Sequence, residues 1–269
     1  MGTWIAAWLP RRTCLLLEVA TSLLGLSATG WARDLPPSQQ YVNISGLPGG
    51  GQPLDPLGRA TWEGPGAVQL NIPLAFTPSR GYWSVGAWAG GCVPPFRGAS
   101  EPEIPLASGH FRNGTALIGA GMGRPGRGIY VGDMFKSRRL DQAYNLQWQA
   151  VHSTAGAAGI AIGMQDVTDA ERGARSLYVV ASKIFARKPR SPALTLGCGG
   201  GRFRHRIFAG FSLQLNKRAY GTVEYDGLQY NGGFVLQVWR AKSVLASLTL
   251  AVNDRDRPLI GVSLAGRQR

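Results

Sequence analysis

Carboxylates are scarce in this sequence. Fifteen Asp and Glu stand against 29 Lys and Arg, for a formal net charge of +14 over 269 residues. Such an excess invites a polyanionic partner, yet no recognisable nucleic-acid-binding signature accompanies it. The cations collect in candidate turns, among them Arg124, Arg127, Arg138, Arg139, Arg187, Lys188, Arg190, Arg202, Arg204 and Arg206. They read as solvated turn charges touching anionic lipid headgroups, with no nucleic-acid partner. Histidine is also rare: His110, His152 and His205 are isolated, with no companion at ligand spacing, so no metal site and no cofactor are expected. Of three cysteines, Cys14 lacks the small-residue setting of a lipid-anchored cysteine, and Cys92 and Cys198 stand too far apart in sequence to settle whether they pair. After the N-terminus no apolar run reaches about 18 residues, which excludes a chain that crosses membranes with helices. The chain is 16% charged and 44% hydrophobic, too apolar for disorder and long enough for one large β domain.

What is present falls into three parts. Arg11 and Arg12 precede an apolar stretch from Thr13 to Leu26, and Gly30-Trp31-Ala32 offers the small residues that a signal peptidase reads. Residues 1–32 are therefore expected to be a signal peptide, with a structural helix as the alternative. Residues 33–65 are rich in Pro, Gly and Ser and hold no sustained period; they read as an extended lead-in segment, strapped to the rest or lying in its mouth. Residues 66–269 read as a β domain.

The clearest strand pattern lies in residues 206–216. Ile207, Ala209, Phe211, Leu213 and Leu215 share one parity; Gly210, Ser212, Gln214 and Asn216 share the other. This period of two gives a strand with one oily and one wet face, where a helix would scatter the same residues around its circumference. Residues 219–226 place Tyr220, Thr222, Glu224 and Asp226 on one parity, and Asp226-Gly227 and Asn231-Gly232 favour tight reversals. In residues 141–151 Tyr144, Leu146, Trp148 and Ala150 alternate with Asn145, Gln147 and Gln149. A row of amides against a sealed apolar core is costly without partners, so that face is expected to see water or a polar lumen.

Further runs are expected at 67–76, where Pro73 suggests an edge or a bulge, and at 82–90, 115–122, 129–135, 158–165, 177–185, 193–202, 232–239, 244–252 and 259–264. The total is about twelve strands, within a range of 10–14, joined mostly by short turns and of a length that spans a bilayer at a tilt. The second face of these strands is Gly, Ala, Ser, Gln and Asn, where a soluble sandwich would carry Lys, Glu, Thr and Arg on its outer surface. Small uncharged polar groups suit a narrow interior. The fold class is all-β: an antiparallel up-and-down transmembrane β-barrel whose closure removes unpaired edges. Its lumen and ligand candidates are Asn145, Gln147, Gln149, Ser212, Gln214, Glu224 and Asp226, facing solvent or sugar hydroxyls.

Other motifs weigh less. Gly119-Ala-Gly121-Met-Gly123 and Gly197-Cys-Gly199-Gly-Gly201 do not sit at strand-to-helix junctions, so they read as close strand packing and not as phosphate cradles. Glu224 and Asp226 form a carboxylate pair of the kind that hydrolyses glycosides, or carboxylates paired with Arg or Lys in a lumen. Asp166 and Lys183 at strand ends invite an ion pair, and no nucleophile-elbow context supports a Ser triad.

One further likeness concerns residues 159–238. Gly163-Met-Gln-Asp166, the run Leu177 to Lys183, Leu194-Thr-Leu-Gly197 with Gly199-Gly-Gly201-Arg, and Val223-Glu-Tyr-Asp-Gly227 with Tyr230-Asn231 occur in the order and spacing of a known pattern. In these residues the chain resembles the YjbH-type family of bacterial outer-membrane β-barrels. The resemblance implies outer-membrane location, contact with lipid, and a role in exopolysaccharide production or export beside other secretion proteins, with no catalytic site carried over. The main expectation is a non-enzymatic exported barrel. A soluble secreted β-sandwich that binds carbohydrate, and a glycan-degrading enzyme using Glu224 and Asp226, remain as alternatives.

Overall fold

The computed structural model describes residues 46–62, 64–90, 113–136, 141–168, 175–185, 190–253 and 257–267. The expected signal peptide, Cys14, Cys92 and His110 lie outside the described residues, as does the part of the lead-in before residue 46.

Twelve strands alternate in direction: β1 (Tyr82–Gly90), β2 (Asn113–Arg124), β3 (Arg127–Lys136), β4 (Asp141–Val151), β5 (Gly159–Gln165), β6 (Ser176–Ile184), β7 (Pro192–Gly199), β8 (Arg206–Gln214), β9 (Ala219–Tyr225), β10 (Tyr230–Ala241), β11 (Val244–Asn253) and β12 (Arg257–Arg267). Each pairs antiparallel with its neighbours in sequence, and β1 closes on β12 through pairs such as Val85↔Leu264 and Trp88↔Gly261. The sheet is thus a closed up-and-down barrel, and the sandwich alternative is corrected: a sandwich would leave two sheets with edges.

Side-chain parity sets the two faces. In β4, Leu146 and Trp148 are 44% and 48% exposed, while Gln147 and Gln149 are buried at 1% and 0%. Phe211 in β8, Val223 in β9, Leu250 in β11 and Val262 in β12 also face outward, whereas Ser212, Thr222, Thr249 and Ser263 face in. The outer surface is an apolar belt and the inner surface is lined with hydroxyls and amides. Water would solvate that belt poorly and lipid tails well, so the barrel is built to sit in a bilayer.

Twelve strands enclose more space than side chains alone can fill. About 8 strands are packed by their own inward residues and about 16 leave a channel. Here the gap is occupied by the chain itself. Residues 67–76 form no wall strand; every one of them is buried. This corrects the expectation of a strand there, and the barrel wall begins at Tyr82. The run has the composition for its place, since Ala67, Val68, Leu70, Ile72, Leu74, Ala75 and Phe76 occupy both parities. A segment walled in on all sides needs no wet face. With Leu47 and Leu54 before it, it packs into four inner clusters: Leu54, Leu74 and Phe76 with Tyr82, Tyr130 and Ile184; Leu70 with Trp88, Leu117 and Met134; Leu47, Ile72 and Ala75 with Tyr178, Phe203 and Phe208; Val68 with Tyr220 and Val235.

Candidate functional site: the occupied lumen

The inner segment carries backbone groups into a place that water does not fill, and each needs a partner. Several pairs lie within the segment, among them Leu54 with Ala67 in both directions, Gln69 N–H to Gly49 O and Leu74 N–H to Pro48 O. The wall supplies others. Val68 N–H donates to Ser212 Oγ at 3.3 Å, Ala75 N–H to Ser182 Oγ at 2.9 Å, and Thr77 N–H to Gln149 Oε1 at 3.0 Å. Gln147 Nε2 donates to Leu74 O at 2.9 Å and to Thr77 Oγ1 at 2.6 Å, while its Oε1 accepts from Tyr178 Oη at 2.9 Å. Asn145 Nδ2 donates to Gly46 O at 3.3 Å, and Asn145 Oδ1 accepts the Asp166 N–H at 3.1 Å.

Glu224 holds the midpoint. Its Oε2 accepts the Leu70 N–H at 2.9 Å and its Oε1 the Asn71 N–H at 2.6 Å, so one carboxylate clamps two successive amides. Charge-assisted bonds of this kind are short and among the stronger hydrogen bonds. Asn231 Nδ2 bridges from Glu224 Oε1 at 3.4 Å to Asp226 Oδ2 at 3.1 Å. Asp226 Oδ1 accepts the Leu228 and Gln229 N–H groups, both at 3.0 Å, and so caps the β9–β10 turn.

The sequence-derived candidates therefore converge on one object. Asn145, Gln147, Gln149, Ser212 and Glu224 line the lumen and bind the inner segment; Gln214 is buried at the end of β8 opposite Tyr220; Asp226 serves the turn. What they touch is the chain's own backbone, where solvent or sugar was expected. Both Glu224 oxygens are engaged by amides, which corrects the carboxylate-pair reading of Glu224 and Asp226. The Asp166–Lys183 pair is also corrected: the two residues stand at opposite rims, and Lys183 Nζ donates to Thr154 O at 2.9 Å and Ala155 O at 2.6 Å. Among the described residues no group of three or more His, Cys, Asp and Glu is placed to hold a metal, and Cys198 is a free thiol. Ser182 and Ser263 are not among the lumen groups expected from the sequence, and Thr222 is placed on the parity of Glu224 without being counted as one. Thr222 Oγ1 donates to Gln69 Oε1 and Ser263 Oγ to Gly51 O, at 3.0 and 3.1 Å. A single hydroxyl among small and apolar residues, as at Ser263, gives no row like the amides of β4.

The glycine stretch of β2 has a role that close strand packing only partly covers. A methyl group at Gly121 would lie 2.5 Å from Ser79 O and 2.8 Å from the Pro78 carbonyl carbon. Gly121 thus leaves room for the inner segment to pass across the wall on its way into β1.

A closed barrel, an apolar outer belt over most of its strands and a polar lumen filled by a strapped-in segment define the class: this is the fold of the bacterial outer-membrane β-barrels. No family model and no curated protein matches the chain. Among solved structures, the chain is similar to a KdgM porin in complex with disordered oligogalacturonate, at 7% identity and a TM-score of 0.50, covering 70% of this chain and 99% of that one. An outer membrane protein of Acinetobacter baumannii, Omp33, matches with 10% identity, a TM-score of 0.40 and 70% and 98% coverage. At these identities it is the barrel that is shared.

Proposed function

We propose that this is a non-enzymatic outer-membrane barrel, exported by an N-terminal signal peptide at residues 1–32, that serves exopolysaccharide production or export. Its lumen is closed by its own residues 46–79 until that segment shifts. The observation that carries this reading is the row of wall groups, Asn145, Gln147, Gln149, Ser182, Ser212 and Glu224, each holding a backbone group of the segment. Donors and acceptors that solvate a peptide backbone also suit sugar hydroxyls, so withdrawal of the segment would leave a sugar-compatible path with Gln214 and Asp226 near its ends.

Two supports point to polysaccharide. One is the YjbH-type resemblance in residues 159–238; the other is the oligogalacturonate named with the KdgM neighbour. Turn lengths support an orientation. At one rim β2–β3 and β10–β11 turn over residues 125–126 and 242–243, while at the other rim β1 and β2 are joined by residues 91–112. Short turns are usual on the periplasmic side of such barrels, and longer loops outside. Outer-membrane lipid and other secretion proteins are the partners expected.

The test is a chromosomal deletion with complementation, read as secreted polysaccharide per cell. The expected result is a loss that the wild-type chain restores. Undiminished polysaccharide in the deletion strain would remove the role, and native protein recovered in a carbonate-soluble fraction would remove the membrane location.

A further inference from the structure

We infer that the short-turn rim carries a binding site for an acidic saccharide unit, on the seam between the inner segment and the wall. This deepens the polysaccharide reading and rests on it. A cavity of about 340 Å³ opens there, lined from the inner segment by Asp55, Arg59 and Trp62 and from the wall by Arg240, Lys242 and Arg267. The volume accommodates a sugar ring or two. Asp55 is already bridged by Arg59 at 2.7 Å, and it is the one carboxylate among the described lining residues. Among the described lining residues, Arg240, Lys242 and Arg267 thus stand with no second carboxylate beside Asp55. Trp62 lines the cavity with the Arg218 guanidinium over one face of its ring, 4.8 Å from the centroid, so a pyranose would meet the indole on its other face or edge.

Two local features indicate that the cations were placed there at some structural cost. The first is a β-bulge in β10. Gln237 opposes Ser247, but Trp239 opposes Ala246 and Arg240 opposes Leu245. In unbroken register Trp239 would face Leu245 and point into the lumen, with Arg240 outside. The extra residue turns Trp239 out, where it is 52% exposed towards the belt, and swings Arg240 onto the buried face of Leu245. Re-aiming a side chain is a common use of a bulge at a barrel rim. The second is Lys242 itself, which holds a φ of 50° in the two-residue turn that follows. Gly or Asn takes that conformation with less strain, so turn chemistry does not explain a lysine there. Among the described residues the carboxylates Asp166, Glu224 and Asp226 belong to the opposite half, which also carries Arg175, Arg202, Arg204 and Arg206.

The experiment uses the full chain folded in detergent micelles, with trigalacturonate as probe and maltotriose as the neutral control, followed by calorimetry and Trp fluorescence. Trigalacturonate is expected to bind with an affinity that falls as salt rises, and maltotriose at least about tenfold more weakly. Arg240→Ala with Arg267→Ala should weaken trigalacturonate binding about tenfold. Lys242→Gly separates binding from folding, because it relieves the strained φ: melting temperature is held or raised while affinity falls about threefold. Equal binding of both saccharides, or undiminished trigalacturonate binding by the folded double variant, would overturn the site. So would variants that lose only their capture by phosphatidylglycerol vesicles, which would assign these cations to lipid. Secreted polysaccharide is read separately, so a failed export role leaves the cavity result standing, and the reverse.

Discussion

Glu224 shows how a single side chain fixes the state of the lumen. Its carboxylate faces two backbone N–H groups of the inner segment, at Leu70 and Asn71, deep inside the barrel. Glu224→Ala strands both donors, and each buried unsatisfied group costs roughly 1–3 kcal/mol. The expected result is faster hydrogen exchange at the Leu70 and Asn71 amides, with the wall strands keeping their protection. Glu224→Gln should fall between, since the amide keeps one acceptor and turns a donor towards a donor. Asn71 argues the other way. Its side chain is fully buried, and neither Nδ2 nor Oδ1 finds a hydrogen-bond partner among the described residues. Asn71→Leu removes two orphaned polar atoms at similar volume and should hold the segment more firmly by about 1 kcal/mol, seen as slower exchange at the same amides. If Asn71→Leu instead loosens the segment, its side chain has a partner that this geometry does not contain.

At the scale of the strand, the alternation decides both the fold and the way to test it. Leu196 in β7 is 54% exposed near the middle of the wall. In a bilayer, Leu196→Arg is expected to cost about 2–4 kcal/mol, as charges do at the midplane of a lipid-facing wall. Equilibrium refolding into liposomes measures it. No change in stability would mean that the belt does not meet lipid. Gly121→Val tests the passage of the inner segment, because the clash there is with the backbone of Pro78 and Ser79 and no side-chain rotation relieves it. The wall strands were readable in the sequence for the same physical reason: a lipid face and a lumen face impose opposite demands on successive residues, as Leu146 beside Gln147 shows. Residues 67–76 misled because an apolar run of strand length says nothing of what surrounds it. The amides of β4 and the hydroxyl of Ser212 were legible as lumen groups, but their partner lies over 60 residues away in sequence. Nothing local announces it. Arg240 was hidden too, since one extra residue at the bulge inverts the parity from which its direction would be read.

Across the whole molecule, conductance depends on what fills the barrel. Twelve strands give an interior wider than side chains can close, and the inner segment closes it with Leu70, Ile72, Leu74 and Phe76 packed against all sides of the wall. The wall is held by antiparallel ladders all the way round, whereas the segment is held by isolated backbone pairs within itself and scattered side-chain bonds to the wall, and leaves Asn71 and Gln69 Nε2 unpartnered among the described residues. Free energy of opening is therefore uneven, lowest for the segment and highest for the ladders. In planar bilayers the wild-type chain is expected to show no steady conductance. Glu224→Ala combined with Ser182→Ala and Ser212→Ala removes three of the wall's holds on the segment and should produce openings while the folded band on a detergent gel persists. The Ala75 N–H donates to Ser182 Oγ at 2.9 Å, so the two residues are neighbours across the segment–wall seam and a cysteine pair there tests whether tying the segment down closes the lumen. In Ala75→Cys/Ser182→Cys, added to Glu224→Ala, oxidation should silence the openings and reduction should restore them, which ties the current to the segment and not to a leak beside the barrel. Steady conductance in the oxidised protein would mean that ions pass with the segment in place, and the closed-lumen reading would fail.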